Sequence, residues 1–462
     1  MTTRAQGPAA RAARAFYLET YGCQMNVADG ELIAGILAES GLRPVDDPGS
    51  ADVILLNTCA IRDHAEQRVL GRLGQLQAIR RQRPWLKLGV AGCMAQERKG
   101  GLLRSSGGVD FVVGPDGYRE LPAILAELET RPGPRVHAKL LRVEPYERLL
   151  PIRKDPFSAW VSIIRGCDKF CTYCIVPYTR GRERSRAVQD VLREVETAAQ
   201  GGAREVTLLG QNVNSYRGLD ARGRTVALAE LIERVADVDG IARVRYTTSH
   251  PQDFGDELIA LHARHPKVCP YVHLPVQSGS DTVLQRMNRS YTRAEYLAKV
   301  AALREAVPAI ALSTDVIVGF PGETGEDFAA TLELLEEVRY DTAFLFKYSP
   351  RTGTKAARLP DAVAEDHAQA RLEALIALQR VHTEAALAAV VGRDVKVLVQ
   401  GSATRGGGAV QGRDPHFRSV VFAGAPELAG SLVRVRVTAS SGKTLLGRRE
   451  PGDVPAPLLA IG

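Results

Sequence analysis

The chain predicts an α/β multidomain protein: a parallel-sheet domain first, a partial (β/α)6 barrel second and a small all-β barrel last. Three observations predict it. Short apolar runs alternate with helical patterns up to about residue 130. The alternation resumes on a larger scale from about residue 158, in six units. After Gly392 the runs become short, partly alternating and punctuated by glycine. A length of 462 residues exceeds what one hydrophobic core supports. The expected domains span residues 14–131, 153–388 and 391–454.

In the first domain "AFYLETYG", "DVILLNT", "LKLGVAG" and "VDFVVG" read as strands, separated by helical stretches such as "RDHAEQRVLGRLGQLQAIR". Strand followed by helix, repeated, implies a parallel sheet covered on both faces. "TRPGPRVHAKLLRVEPYERLLPIRKDP" is rich in proline and charge and reads as a linker. The second domain offers "AWVSIIRG", "EVTLLGQN", "ARVRYTT", "YVHLPV", "IALSTDVIVGF" and "TAFLFKYS" as strands, each with a helical pattern after it. The long "DAVAEDHAQARLEALIALQRVHTEAALAAVV" closes it as a helix. In the third, "DVKVLVQG", "SVVFAG", "SLVRVRVT" and "KTLLGRR" read as strands of a small barrel.

A hydrophobic fraction of 45% with 24% charged residues is ordinary for a soluble globular protein. No apolar run reaches the roughly 18 residues of a membrane span, so a cytoplasmic protein with no membrane contact is expected. The opening "MTTRAQGPAARAAR" is basic and lacks the apolar centre of a signal peptide; it reads as a disordered Ala/Arg-rich leader, with a transit peptide the alternative. A net charge of +7 favours a polyanionic partner. Seven cysteines are odd in number and too few for a disulfide scaffold of this length, which fits thiolates held on metal in a reducing compartment.

Cys167, Cys171 and Cys174 form C-x3-C-x2-C directly after the first strand of the second domain. Structural zinc closes with four ligands, usually as paired C-x2-C units. An iron–sulfur cluster also normally takes four cysteines, and three would leave one iron open to another molecule. The strand-then-loop setting favours the cluster over zinc. Cys23, Cys59 and Cys93 lie far apart, yet "YGCQMN", "NTCAIR" and "AGCMAQ" each follow a strand and precede a helix. Loops at the carboxyl ends of parallel strands share one edge, so the three can converge and hold a second cluster. The plainer alternative is three buried apolar cysteines. Cys269 has no partner at a matching position and reads as structural.

Other candidates fall at strand ends. Arg180, Arg182, Arg184 and Arg186 suit carboxylate or phosphate, or a solvated loop. Gly210, Gln211 and Asn212 follow the second strand, Ser249 and His250 the third. Gly319 and Gly322 mark a later strand end, where glycine permits close backbone approach or simply a tight turn. Asp315 lies inside that strand, as a buried acid or a pocket wall. Residues 391–450 hold ten Lys/Arg against four Asp/Glu. In "LVRVRV", Val433, Val435 and Val437 face one way, Arg434 and Arg436 the other. With Lys443 these basic residues form a candidate RNA-binding face, or simply a solvated outer face.

The C-x3-C-x2-C loop resembles that of the radical S-adenosylmethionine enzymes. "TYGCQMN", "NTCAIRDHAEQ", "GCMAQ", "CDKFCTYCIVPYTRGRERSR", "LLGQNVNSY", "LPVQSGSD", "GFPGET" and "YSPRTGTKAA" together resemble the methylthiotransferases, from residue 16 to about 450. The resemblance implies an amino-terminal cluster domain, a radical S-adenosylmethionine barrel and a carboxy-terminal TRAM domain that binds RNA. It implies two 4Fe-4S clusters and S-adenosylmethionine as cofactors. Cys23, Cys59 and Cys93 would hold the auxiliary cluster that carries the sulfur, and Cys167, Cys171 and Cys174 the cluster that cleaves S-adenosylmethionine. Gly210, Gln211, Asn212, Ser249, Asp315 and Gly319 would line S-adenosylmethionine; the acidic residue that related enzymes often place beside its amino group is absent from "LLGQNVNSY".

The family's branches differ in substrate. "NTCAIRDHAEQ" and the three-cysteine loop look like the MiaB-like branch, which methylthiolates N6-isopentenyladenosine (N6-dimethylallyladenosine) at position 37 of tRNA. One S-adenosylmethionine would methylate the sulfur and another would give the radical that removes the C2 hydrogen. The other branches act on threonylcarbamoyladenosine in tRNA or on an aspartate of a ribosomal protein. The implied partners are the tRNA anticodon stem-loop, an electron donor such as flavodoxin or ferredoxin, and a sulfur donor, with the enzyme a monomer. A different class, a non-catalytic zinc- and RNA-binding protein, would be colourless and would leave S-adenosylmethionine uncleaved.

Overall fold

The computed structural model describes residues 14–60, 63–104, 108–131, 133–143, 146, 149–404 and 407–450. Nearly all of the basic leader, and residues 451–454 of the expected third domain, lie outside them. The chain divides into two compact units. The first holds residues up to Lys154 together with Ile175–Arg182; the second holds Asp155–Cys174 and Glu183 onward.

The first unit is built on a six-stranded sheet in the order Arg43–Pro44, Ala15–Thr20, Val53–Thr58, Lys87–Gly92, Phe111–Val113, Arg135–His137. Every pairing is parallel. Strand Val53–Thr58 is buried along its whole length, as expected where helices cover both faces. The period of two sends Val53 and Leu55 into one apolar layer, with Phe16, Ile33 and Leu37, and Ile54 and Leu56 into the other, with Val69, Leu73 and Leu88. The connection reverses direction between Ala15–Thr20 and Val53–Thr58, and such a switch point opens a crevice at the carboxyl ends.

The stretch read as a linker differs. Arg135–His137 extends the sheet beside Phe111–Val113. Tyr146 is buried, donates its hydroxyl to the Pro115 carbonyl and stacks on Tyr118 at 5.8 Å. A three-residue strand has too short a pattern to show through the surrounding prolines and charges.

The second unit contains the six expected strands as two parallel three-stranded sheets. Ser158–Ser162, Glu205–Leu209 and Arg243–Thr247 form one. Tyr271–His273, Ala311–Val318 and Thr342–Lys347 form the other. A parallel bridge from Val244 to Val268 precedes the gap between them. This is the partial (β/α)6 barrel, with helix Glu365–Ala388 after it. Five antiparallel and parallel strands then close a small barrel, with Val397, Val399, Val410, Val420, Phe422, Val433, Val435 and Val437 inside. The strand that sequence reading missed is Ala409–Arg413. The glycines around it, Gly406–Gly408 and Gly412, weaken the strand signal. At Gly412 a Cβ would lie 2.1 Å from the Leu398 carbonyl, so only glycine permits this pairing.

The small barrel seals the amino end of the larger one. Arg245 donates to the carbonyls of Pro415 and Asp414, both at 2.7 Å. Arg243 donates to the carbonyls of Arg413 at 2.9 Å and of Lys396. Glu205 balances this pair of buried cations, its Oε2 lying 3.1 Å from Arg245 and 3.6 Å from Arg243. Phe417 stacks beneath, 5.2 Å from Tyr271 and 4.2 Å from the Arg413 guanidinium. The carboxyl ends of the barrel strands are left for the site.

Candidate functional site

The six candidate cysteines divide between the two units, three in each. In the first unit Cys23, Cys59 and Cys93 stand at the carboxyl ends of three adjacent strands, level in register (Thr20 beside Asn57, Thr58 beside Gly92). Adjacent strands lie about 4.8 Å apart, which confines the three loops to a span of about 10 Å. Cys23 caps helix Gln24–Glu39, and Cys93 opens helix Cys93–Arg98. Helix amino termini favour thiolate over thiol. The Cys59 thiol lowers the Cys23 pKa by donating a hydrogen bond, and Arg180 adds to the effect. Burial raises that of Cys93, with the Arg180 guanidinium opposing it.

A polar frame fixes these loops. Asn26 donates to the Thr58 carbonyl at 3.0 Å and accepts from the Cys23 amide at 3.3 Å. Asn57 donates to the Asn26 carbonyl at 2.7 Å, and Thr58 to the Ala91 carbonyl at 2.6 Å. Gly22 has φ +132°, and a Cβ there would lie 2.5 Å from the Cys59 Cβ. Arg180, which sequence reading placed on a phosphate-binding or solvated loop, is instead buried in this unit. Its Nη2 meets Asp29 Oδ2 at 2.6 Å and its Nε donates to Cys93 Sγ at 3.1 Å. Sequence reading missed Asp29 altogether, because an acid inside a helix carries no motif.

In the second unit Gly166 (φ +80°) turns the chain into the Cys167–Cys174 loop, and its amide donates to Gln211 Oε1 at 2.6 Å. The Cys174 amide donates to the Cys171 carbonyl at 3.0 Å, curling the loop on itself. Arg289, also missed from sequence, places Nη1 3.4 Å from Cys171 Sγ. It is held there by the Pro275 carbonyl at 3.0 Å and the Tyr291 hydroxyl at 2.9 Å. Burial pushes the Cys167 thiol up to about 12, so binding metal there must displace a firmly held proton.

No disulfide joins any of the seven cysteines, and among the described residues no group of His, Cys, Asp or Glu is arranged around a single metal ion. Cys269 is buried.

Beside the second trio, Gln211 Nε2, Asn212 Oδ1, Ser249 Oγ and His250 Nε2 are buried without a protein partner. Buried polar atoms are rarely left so, and four together at strand ends fit a polar ligand. Asn212 Nδ2 is already held by Asp253 at 2.7 Å. His250 both caps its loop, accepting from the Gln252 amide at 3.3 Å, and turns Nε2 inward. Burial lowers its pKa to about 2, so it is neutral at ordinary pH. Gly210 packs on Ile164, where a Cβ would lie 2.4 Å away.

Asp315 sits mid-strand, 3.6 Å from His273 and away from the strand end. Gly319 does not offer its amide to a ligand, because Glu323 already accepts from it. A Cβ at Gly319 would meet Ala368 at 2.7 Å, and Gly319 (φ +72°) and Gly322 (φ +80°) both take left-handed backbone; packing and turn geometry account for the two glycines. In the small barrel Arg434 and Lys443 are exposed, whereas Arg436 pairs with Asp394 at 2.9 Å and Glu450 at 3.5 Å.

Residues 161–335 match the radical SAM superfamily, and residues 15–114 match the uncharacterized protein family UPF0004. The tRNA-2-methylthio-N(6)-dimethylallyladenosine synthase of Porphyromonas gingivalis is 45% identical over 440 residues, 94% of each chain. The protein of the same name from Acidithiobacillus ferrooxidans is 46% identical over 435 residues, covering 94% of this chain and 96% of that one. The chain belongs to this synthase family. Among solved structures, the radical S-adenosylmethionine methyltransferase TsrM from Kitasatospora setae, with cobalamin and a [4Fe-4S] cluster bound, superposes with TM-score 0.56. It is 16% identical and covers 75% of this chain and 77% of that one, a likeness of fold. Membership of the synthase family and the radical SAM match imply an iron–sulfur cluster and S-adenosylmethionine. The Cys167–Cys174 loop and the unpartnered polar atoms beside it fit those two groups. The synthase family also accounts for a parallel sheet, partial barrel and five-stranded TRAM-like barrel in this order. No described helix is long and apolar enough to cross a membrane.

Proposed function

We propose that the protein is a radical S-adenosylmethionine tRNA methylthiotransferase that converts N6-dimethylallyladenosine at position 37 of tRNA to its 2-methylthio derivative. The observation that carries the reading is identity of 45% across 94% of the chain to a synthase of that name, in a chain whose six candidate cysteines divide three and three between its two units. Neither the threonylcarbamoyl nor the ribosomal-protein alternative has comparable support, and a non-catalytic zinc protein would have no use for a radical SAM barrel.

Cys167, Cys171 and Cys174 would hold the cluster that cleaves S-adenosylmethionine, and Cys23, Cys59 and Cys93 an auxiliary cluster. When bound, these groups supply one electron to the sulfonium and an open iron where sulfur is carried. Gln211, Asn212 and Ser249, over the floor made by Gly210, would orient the S-adenosylmethionine polar groups. Arg289 would donate to the Cys171 thiolate and spread its charge. Ala60 and Ile175, both buried against Cys93, would keep water from the auxiliary site. Arg434 and Lys443 would meet RNA phosphates, with Arg436 largely committed to its carboxylates. A flavodoxin- or ferredoxin-type electron donor, a sulfur donor and action as a cytoplasmic monomer complete the proposal.

Mass spectrometry of tRNA nucleosides from a strain lacking the protein tests the reading: N6-dimethylallyladenosine should accumulate and its methylthio derivative vanish. An unchanged nucleoside profile would overturn it. Gly22→Ala tests the auxiliary site, because its Cβ has no room beside Cys59. About half of the bound iron should be lost while 5′-deoxyadenosine formation survives, measured by iron analysis and chromatography.

A further inference from the structure

We propose that Arg180, clamped by Asp29, is a positioning residue that sets the reduction potential of the cluster held by Cys23, Cys59 and Cys93. The inference rests on the auxiliary-cluster reading above and adds a device to it. The Arg180 side chain is 4% exposed and that of Asp29 not at all. A buried cation is costly unless an anion and hydrogen bonds compensate it. Asp29 supplies the anion at 2.6 Å, and the Tyr118 hydroxyl reaches the same Asp29 oxygen at 3.3 Å.

The pair is oriented. Arg180 turns Nε onto Cys93 Sγ at 3.1 Å, while its Nη2 is the atom held by Asp29. The positive end therefore touches the sulfur and the negative end lies behind it. A structural ion pair has no need to donate to a thiolate.

Hydrogen bonds to cluster sulfurs and local charge are the protein's means of tuning cluster potential. One-electron reduction adds a negative charge to a cluster already held by thiolates. A fixed N–H donor and cation against one of those sulfurs stabilises the reduced form more than the oxidised form, which raises the potential. In a buried site this influence is screened little by solvent.

The test uses the full chain with Cys167, Cys171 and Cys174 all replaced by Ala, so that the amino-terminal cluster alone contributes. After anaerobic reconstitution, its potential is measured by dye-mediated redox titration followed by absorbance and electron paramagnetic resonance. Arg180→Gln should favour the oxidised form at least tenfold at a fixed poise, a fall of about 59 mV for one electron. Asp29→Asn should shift the potential the opposite way, because it leaves the cation unbalanced. Arg180→Lys should fall between the parent and Arg180→Gln, since lysine keeps the charge but not the planar fork. A purely structural role would move Arg180→Gln and Asp29→Asn in the same direction, or move neither, and either result overturns the proposal. Should Arg180→Gln fail to retain iron, the Asp29→Asn shift decides alone: a rise supports the proposal and anything else overturns it. A parent variant that binds no iron at all would instead sink the auxiliary-cluster reading itself.

Discussion

Cys171→Ala is expected to abolish 5′-deoxyadenosine formation, while Cys59→Ala spares it and loses only the methylthiolated product. The asymmetry follows from the grouping of the cysteines. Cys167, Cys171 and Cys174 share one loop at the end of the first barrel strand, with the unpartnered Gln211, Asn212 and Ser249 atoms beside them. A three-thiolate site would have no spare ligand, so losing Cys171 would remove the proposed cluster that delivers the electron. Arg289 would be left in the cavity without its sulfur acceptor. Cys59 belongs to the other unit, on another sheet. Product analysis by chromatography separates the two variants. The drop for Cys171→Ala should reach the background rate; deoxyadenosine formed at the parent rate would contradict the assignment.

Arg245→Met is expected to destabilise the seal between the two barrels by about 3 kcal/mol or more, the usual result of removing one partner of a buried ion pair. Its guanidinium is almost wholly buried, bonded to two carbonyls at 2.7 Å and paired with Glu205. Methionine fills the volume but leaves Glu205 with Arg243 alone, at 3.6 Å, and the Pro415 and Asp414 carbonyls unsatisfied. Limited proteolysis reads the effect as faster release of the small barrel, on the order of a hundredfold in the opening equilibrium. Adding Glu205→Gln should recover part of the loss, because the uncompensated charge goes with it. Equal protection of parent and variant would show that the two arginines do not hold the seal.

Much of the fold was legible in the sequence because its strands are long or wholly apolar. "VILLNT" and "IALSTDVIV" announce themselves, whereas Arg135–His137 and Ala409–Arg413 are short and set among proline or glycine. The strand-end placement of Cys23, Cys59 and Cys93 was legible, because three strand-to-helix junctions in a row each carry one. What surrounds the sulfurs was not. Arg180 lies in a run of alternating arginines, of which it turns inward to Asp29 while Arg186 binds Glu194 at 2.6 Å. Asp29 and Arg289 acquire their roles only when residues 151 and 118 positions away arrive beside them. Gly319 misled in the opposite sense: a strand-end glycine suggests ligand approach, but helix Glu365–Ala388 packs so closely there that a side chain has no room.

The central claim is that two separate trios of thiolates each hold a four-iron cluster, and iron and sulfide analysis of three reconstituted proteins tests it most directly. The parent chain should bind about eight irons and eight sulfides; replacing Cys23, Cys59 and Cys93 by Ala, or Cys167, Cys171 and Cys174 by Ala, should each leave about four. A parent chain with about four irons, or either triple variant with the parent's full complement, would contradict it.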